Sequence, residues 1–323
     1  MSDLGQTIPG KAYEYACLQS IVELVTPLRS VIISENSSLR VAHAAWESIP
    51  LELKQKMKLS STAGVKALIE LEPKITQDGK DDLELSLQPD KNGQEGDVRD
   101  VLIIRRALEW EIGISVKHNN EAVKHSRLSP TIDFGKDWFG LNCSVTYFEQ
   151  INPIFKTLEG YKNIGLNWGQ VSDKDSSVYV PILEAFMAEL QRLDNSNPGI
   201  VPGRLLEYLL GRKDFYKLIS NDYERTTTVQ CFNLHGTLNT ASSVKKPTIK
   251  VRNFGLPAHI LYLGFKTKKD GNASRTTIQL VMDNDWGISL RLHSAKTEVE
   301  NSLKFDIQLT GVPTSLFVNK LTW

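Results

Sequence analysis

Cysteine is scarce: three thiols, Cys17, Cys143 and Cys231, stand far apart in 323 residues. An odd, scattered set excludes a disulfide framework and lacks the paired spacing of a zinc ribbon, so the thiols are expected in the core. Long apolar runs are missing as well, and none approaches the ~18 residues that a membrane span requires. The opening segment, MSDLGQTIPGKAYEYACL, has no basic stretch followed by an apolar one, so a cytoplasmic location with no membrane partner is expected. Nor is there an excess of either charge, with 38 basic and 38 acidic residues. Composition by itself therefore points to no polyanionic partner. Internal repeats and low-complexity tracts are also lacking, which excludes solenoids and disordered arrays.

What is present is a globular composition, with 41% hydrophobic and 24% charged residues, enough to bury one large core or two ordinary ones. The charge is unevenly spread. Residues 201–323 hold 17 basic and 10 acidic side chains, against 21 and 28 in residues 1–200. A C-terminal part that meets an anionic partner fits this asymmetry, and so does a solvated face of mixed charge.

Helical spacing runs through residues 8–29, where Ala12, Ala16, Ile21, Leu24 and Val25 recur between Pro9 and Pro27. Further helices are expected over 37–73. The period then changes, and Leu83, Leu85 and Leu87 alternate with polar residues as in a half-buried strand, followed by the turn-rich PDKNGQEGD. DVLIIRR (100–106) and LEWEIGISVK (108–117) follow with no room for a helix between them, so they should pair antiparallel. Helical patterning returns from about 146 to 220, with YVPILEAFMAELQRL and PGRLLEYLLGRKDFYKLI clearest, and short punctuated apolar runs fill 226 to the end. Trp138, Phe139, Trp168 and Trp286 read as core aromatics rather than base-stacking groups.

A hairpin centred near residues 107 and 108 sets Asp100 opposite Ser115, with Lys117 two residues along on the same face. An acid at the mouth of one strand and a lysine on its neighbour is an arrangement suited to metal-dependent phosphodiester hydrolysis. The carboxylate suits Mg²⁺, and the lysine can orient a water and offset charge in the transition state. Asp97, three residues before Asp100, can fold back onto such a site. Glu111 shares the face but lies six residues, ~20 Å, from Lys117. Glu121 sits four residues after Lys117, on an expected helix. On that helix His118, Asn119, Lys124, His125 and Arg127 are candidates for contacts to DNA phosphates, or else an ordinary polar surface.

These residues resemble the PD-(D/E)xK nuclease superfamily, with D-V-L-I-I followed by S-V-K. Arg99 stands where the superfamily has proline, and Ser115 where it has an acid, as in the S-V-K variant of some restriction endonucleases. Glu14, in GKAYEYACL, matches the acid that the superfamily's first helix often contributes, so Asp97 and Glu14 rank ahead of Glu121 as the second metal-binding carboxylate. GKAYEYACL, GDVRDVLI, WEIGISVKHN, AVKHSRLS, ILEAFMAEL, LLGRKDFYK, LHGTLN and SLKFDIQ are together similar to the HaeIII family of type II restriction endonucleases. That resemblance implies Mg²⁺-dependent cleavage of double-stranded DNA at GGCC to blunt ends, a companion DNA methyltransferase that protects the host, and a homodimer or sequential nicking. The expected fold class is α/β: a PD-(D/E)xK nuclease core, a mixed sheet flanked by helices over residues 1–225, with an antiparallel β-rich subdomain over 226–323 that, with the loop around 124–135, is expected to carry recognition. In the expected site Asp100, with Asp97 or Glu14, holds the metal, Lys117 positions the water and Ser115 donates a hydrogen bond. The serine at 115 also suits a non-catalytic DNA-binding protein that kept the fold, and a repair or junction nuclease shares the same core.

Overall fold

The computed structural model describes residues 7–89, 96–119 and 124–323, with the side chains of Lys124 and His125 outside the description. Glu121 and most of the turn-rich segment after residue 89 also lie outside the described residues. The chain forms two compact units, Met1–Glu121 with Gly211–Gly255 and Ser315–Trp323, and Ala122–Leu210 with Leu256–Thr314. No helix among the described residues is long and apolar enough to cross a membrane.

The first unit is a mixed α/β layer structure. Helices α1 (Thr7–Val25), α2 (Ser37–Ser48) and α3 (Leu51–Leu71) accompany strands β1 (Val31–Ile33), β2 (Leu83–Leu87), β3 (Val101–Arg105) and β4 (Trp110–His118). Three later strands, β6 (Phe215–Asn221), β7 (Thr226–Phe232) and β12 (Phe317–Thr322), complete a seven-stranded sheet in the order β1-β2-β3-β4-β6-β7-β12. The β1–β2 and β4–β6 pairs are parallel and the others antiparallel. Helices α1 and α3 lay their apolar stripes on this sheet, packing Ala12, Cys17, Val65 and Leu68 with Leu85, Ile103, Ile112 and Leu218. Buried hydroxyls lock the layers, with Tyr13 bonded to Ser60 at 2.7 Å and Ser60 to Thr227 at 2.6 Å.

The second unit carries β5 (Lys124–Leu128), then α4 (Phe134–Phe139), α5 (Val145–Asn163), α6 (Val180–Ser196) and α7 (Val201–Leu210). Strands β8 (Ile260–Thr267), β9 (Ala273–Met282), β10 (Gly287–His293) and β11 (Leu303–Gly311) join β5 in an antiparallel sheet ordered β5-β11-β10-β9-β8. Its core is aromatic, with Phe134 4.5 Å from Phe186 and Trp138 stacked 5.0 Å from Tyr208. Trp138, Phe139, Trp168 and Trp286 are all buried, as expected of core aromatics.

Three expectations are revised. The expected boundary at residue 225 falls in the turn between β6 and β7, which pair along seven residues each, so the cut would split a hairpin inside one sheet. The helix read through FYKLI is strand β6. Helix α7 stops at Leu210, Gly211 takes φ +87°, and a strand buried along nearly all its length follows. A parallel strand covered on both faces shows a continuous apolar run that periodicity cannot separate from a helix. Finally, the helix expected after Lys117 is strand β5, whose partner β11 lies far along the chain.

One buried acid gives this fold a pH dependence. Glu72, capping α3, is fully buried and accepts hydrogen bonds from Tyr216 Oη at 2.8 Å and the Asn239 amide at 2.5 Å, while its Oε2 has no partner among the described residues. Burial lifts its carboxyl to about 7, against the opposing pull of the Asn239 and Tyr216 donors. A folded-state value above the unfolded one means stability fully present below the unfolded value and lost as pH rises through about 7. Between about pH 5 and about pH 8 the wild type should lose about 3 kcal/mol relative to Glu72→Gln, as measured by urea unfolding of both proteins. Parallel pH profiles would show that the Glu72 carboxyl is not raised in the fold.

Candidate active site

The connection between β3 and β4 is a single 3₁₀ turn, Arg106–Leu108, closed by Glu109 at φ +48°. That short link fixes the register Val101↔Ile114, which continued by one residue places Asp100 opposite Ser115. The expected pairing is the observed one. Asp100 is held on both sides by its backbone, donating to Ile114 O at 2.8 Å and accepting from the Gln88 amide at 2.9 Å. Its carboxylate is equally fixed. Oδ2 accepts from the Val116 amide at 2.6 Å and lies 3.4 Å from Ser115 Oγ and 3.7 Å from Lys117 Nζ. Asp100, Ser115 and Lys117 thus meet around one oxygen.

Helix α1 packs across β3 and β4 and brings Glu14 to the same region. Glu14 is buried and pairs with Lys11 at 3.0 Å. One helical turn on, the Cys17 thiol is pushed well up, first by burial and then by the negative charges of Glu14 and Asp100. Both carboxylates therefore act on one buried sulfur, which places them in one neighbourhood.

Asp97 is placed differently from expectation. Arg99 grips it with two parallel bonds, Nε to Oδ1 at 2.7 Å and Nη2 to Oδ2 at 2.6 Å, and Gln88 adds a third at 3.0 Å. Burial works against ionisation of Asp97, but Arg99 and Gln88 outweigh it and hold the carboxyl below its usual range. Arg99 also reaches Glu111 at 2.8 Å by lying flat over Gly113, where an added Cβ would sit 2.1 Å from Arg99 Cδ. With both oxygens engaged by a guanidinium, Asp97 is a poor ligand for a second cation. Sequence reasoning missed Arg99, although Asp97 and Arg99 at i and i+2 in an extended segment share a face.

The residues expected to touch phosphate are scattered. His118 turns inward, its side chain 6% exposed, between the Tyr13 ring at 5.7 Å and Asp222 at 3.3 Å. Burial depresses its pKa, opposed by Asp222, so the ring is not an exposed cation. Asn119, at φ +52°, accepts the Asp222 amide at 2.9 Å and closes the end of β4 onto the β6–β7 turn. Arg127 lies on β5 in the other unit, bonded to Ser302 at 2.7 Å and 3.6 Å from Glu300. Lys124 and His125 belong to β5 by their backbone, and their side chains lie outside the described residues.

The donor set suits a hard divalent ion. Asp100 Oδ1 has no hydrogen-bond partner, and no three His, Cys, Asp or Glu side chains converge, both among the described residues. One or two carboxylate oxygens with the remaining positions left to water is how Mg²⁺ is commonly held.

Comparison with known proteins gives this geometry its context. The family model described as HaeIII restriction endonuclease matches residues 10–313. The Type II restriction enzyme HaeIII of Haemophilus aegyptius is 42% identical over 314 residues, covering 97% of this chain and 97% of that protein. No solved structure matches the chain. A match this long takes in the β3–β4 hairpin, helix α1 and both sheets, and the chain belongs to the HaeIII restriction endonuclease family.

Proposed function

We propose that the chain cleaves double-stranded DNA at GGCC by Mg²⁺-dependent phosphodiester hydrolysis on a PD-(D/E)xK core. The observation that carries this reading is the meeting of Asp100, Ser115 and Lys117 around Asp100 Oδ2. The layout of α1, antiparallel β2-β3-β4 and β6 parallel to β4 supports the core assignment. Recognition of GGCC rests on the 42% identity to the Haemophilus aegyptius enzyme.

In this mechanism Asp100 and Glu14 would hold Mg²⁺, which when bound supplies positive charge to the phosphoryl oxygens and an acidified water. Lys117 Nζ, 3.7 Å from Asp100 Oδ2 and partly exposed, holds the attacking water and offsets charge as it grows on the phosphoryl oxygens. The Val116 amide fixes the Asp100 carboxylate through Oδ2, and Ser115 donates to the same oxygen, so Oδ1 is the oxygen that would be offered to the ion. Arg99 keeps Asp97 and Glu111 neutralised beside the site, limiting negative charge where the DNA backbone must approach. Base reading belongs elsewhere, because phosphate and metal contacts carry no sequence information, and the second unit's strands β8–β11, with the loop around 124–135, are assigned that task. Blunt cutting of a palindrome needs two active sites or two visits, so a homodimer or sequential nicking follows. A protecting methyltransferase is the expected functional companion.

Digestion of a plasmid of known sequence, with and without Mg²⁺, tests the proposal. Fragments with blunt ends within GGCC, seen only with the metal, are the expected result. Random degradation would favour a repair-type nuclease, and tight duplex binding without cleavage would favour a DNA-binding protein in which Ser115 marks lost catalysis.

A further inference from the structure

The turn between β6 and β7, Asn221 to Thr226, is built in a way that the folding of the chain does not require. Tyr223 at its tip is 97% exposed. Arg225, also exposed, holds φ +52°, a left-handed conformation that glycine or asparagine adopts at lower cost. A turn selected for stability alone would place small or Asx residues at these positions.

Both acids of the same turn are paired, Asp222 on the inner side and Glu224 at the surface. Asp222 is tied to Asn119 Nδ2 and His118 Nε2, each at 3.3 Å, and Glu224 pairs with Lys320. Asn221 Oδ1 accepts the amides of Tyr223 at 3.1 Å and Glu224 at 3.0 Å, which stiffens the tip. Arg225 makes no ion pair among the described residues; its carbonyl accepts the Trp323 amide at 3.0 Å. The tip therefore offers an exposed aromatic ring and a guanidinium with no ion pair among the described residues, while the exposed Glu224 beside them is neutralised by Lys320.

The mount is fixed to the catalytic strand. Lys117 pairs with Ile219 and His118 with Ser220 in the parallel β4–β6 register, so the turn leaves the sheet at the end where Lys117 stands. Tyr223 lies four residues past Ile219, a reach of up to ~13 Å. At ~3.4 Å of rise per base pair this is about four base pairs. A four-base-pair site cut at its centre extends only about two base pairs to each side, so a tip that extends along the duplex would reach the flanking base pairs.

On the nuclease reading proposed above, we infer that the Tyr223–Arg225 tip is a DNA clamp outside the recognition sequence, with Arg225 on a flanking phosphate and the Tyr223 ring packed on the adjacent deoxyribose. Such contacts raise affinity and orient the duplex without reading bases. They also make binding depend on duplex length.

The test is fluorescence anisotropy of wild type, Tyr223→Ala, Tyr223→Phe and Arg225→Gly on labelled GGCC duplexes with about two or about ten flanking base pairs per side, without divalent metal, from about 50 to about 200 mM KCl. Arg225→Gly suits the left-handed position and should fold unimpaired. It should bind the long duplex about tenfold more weakly and lower the salt slope by about 1, the signature of one lost phosphate contact. Tyr223→Ala should also bind about tenfold more weakly, while Tyr223→Phe, which keeps the ring, restores affinity. Wild type should prefer the long duplex, and both weakened variants should lose most of that preference. If wild type binds but the variants match it in affinity, slope and length preference, the clamp is overturned and the nuclease reading stands. If wild type neither binds duplex nor cleaves plasmid, the nuclease reading is overturned and the clamp with it.

Discussion

Lys117→Ala should leave a folded protein that still binds duplex DNA but cleaves it about 10³-fold more slowly. The side chain is 30% exposed and its ion-pair partner is Asp100 at 3.7 Å, so truncation opens no core cavity. Asp100 also keeps its strongest hydrogen bond, from the Val116 amide at 2.6 Å. What disappears is the ammonium 3.7 Å from the Asp100 carboxylate, and with it the group proposed to hold the water and offset phosphoryl charge. Single-turnover cleavage of a supercoiled plasmid, with thermal melting as the control for folding, gives the comparison. A variant within tenfold of wild type would remove Lys117 from the chemistry.

Arg105→Ala should be the most damaging single change for folding, costing about 3–5 kcal/mol out of a total of about 5–15. Arg105 is wholly buried at the end of β3. Its guanidinium donates to Asp81 through two nitrogens, to the Lys74 carbonyl at 2.6 Å, to the Gln77 carbonyl at 2.8 Å and to the Asp78 carbonyl. Arg29 adds bonds to the Gln77 and Asp81 carbonyls, so two arginines organise the loop between α3 and β2. Removing Arg105 takes the donor from the Lys74 and Asp78 carbonyls and leaves Asp81 with Arg29 at 3.2 Å, and truncating one partner of a pair whose guanidinium is wholly buried costs more than the pair is worth. The Arg105 hydrogen bonds hold the Asp81 carboxyl down at about 2, against burial. Since that value is depressed, the contribution is present above the ordinary aspartate range and fades as pH falls toward about 2. Guanidinium unfolding near neutral pH measures the effect, and a loss under about 1 kcal/mol would show that water or a rearranged loop replaces the guanidinium.

These predictions differ in how far the sequence foretold them. Asp100 opposite Ser115 could be read directly, because two apolar runs separated by four residues leave few ways to pair. Helices over 7–25 and 37–71 and the strand at 83–87 were equally open to a periodicity argument. The pairing of Arg99 with Asp97 was local enough to be found but competed with a more attractive assignment of Asp97 to a metal. Nothing local announced that His118 would turn toward Asp222, about a hundred residues away, or that Glu72 would be covered by Tyr216 and Asn239.

By itself, the sequence determined the β3–β4 hairpin, the Asp100–Ser115–Lys117 constellation, the likeness to a restriction-enzyme family and the core role of the tryptophans. Each depends on neighbours within about twenty residues or on the pattern of the whole chain. The tertiary structure alone decided that β6 is a strand, that the C-terminal strands divide between two sheets, and that the β6–β7 turn stands at the Lys117 end of β4. The physical reason is that parallel pairing and buried ion pairs join segments far apart in sequence. Their partners are selected by the burial and hydrogen bonding of the finished sheet, and no local period encodes that choice.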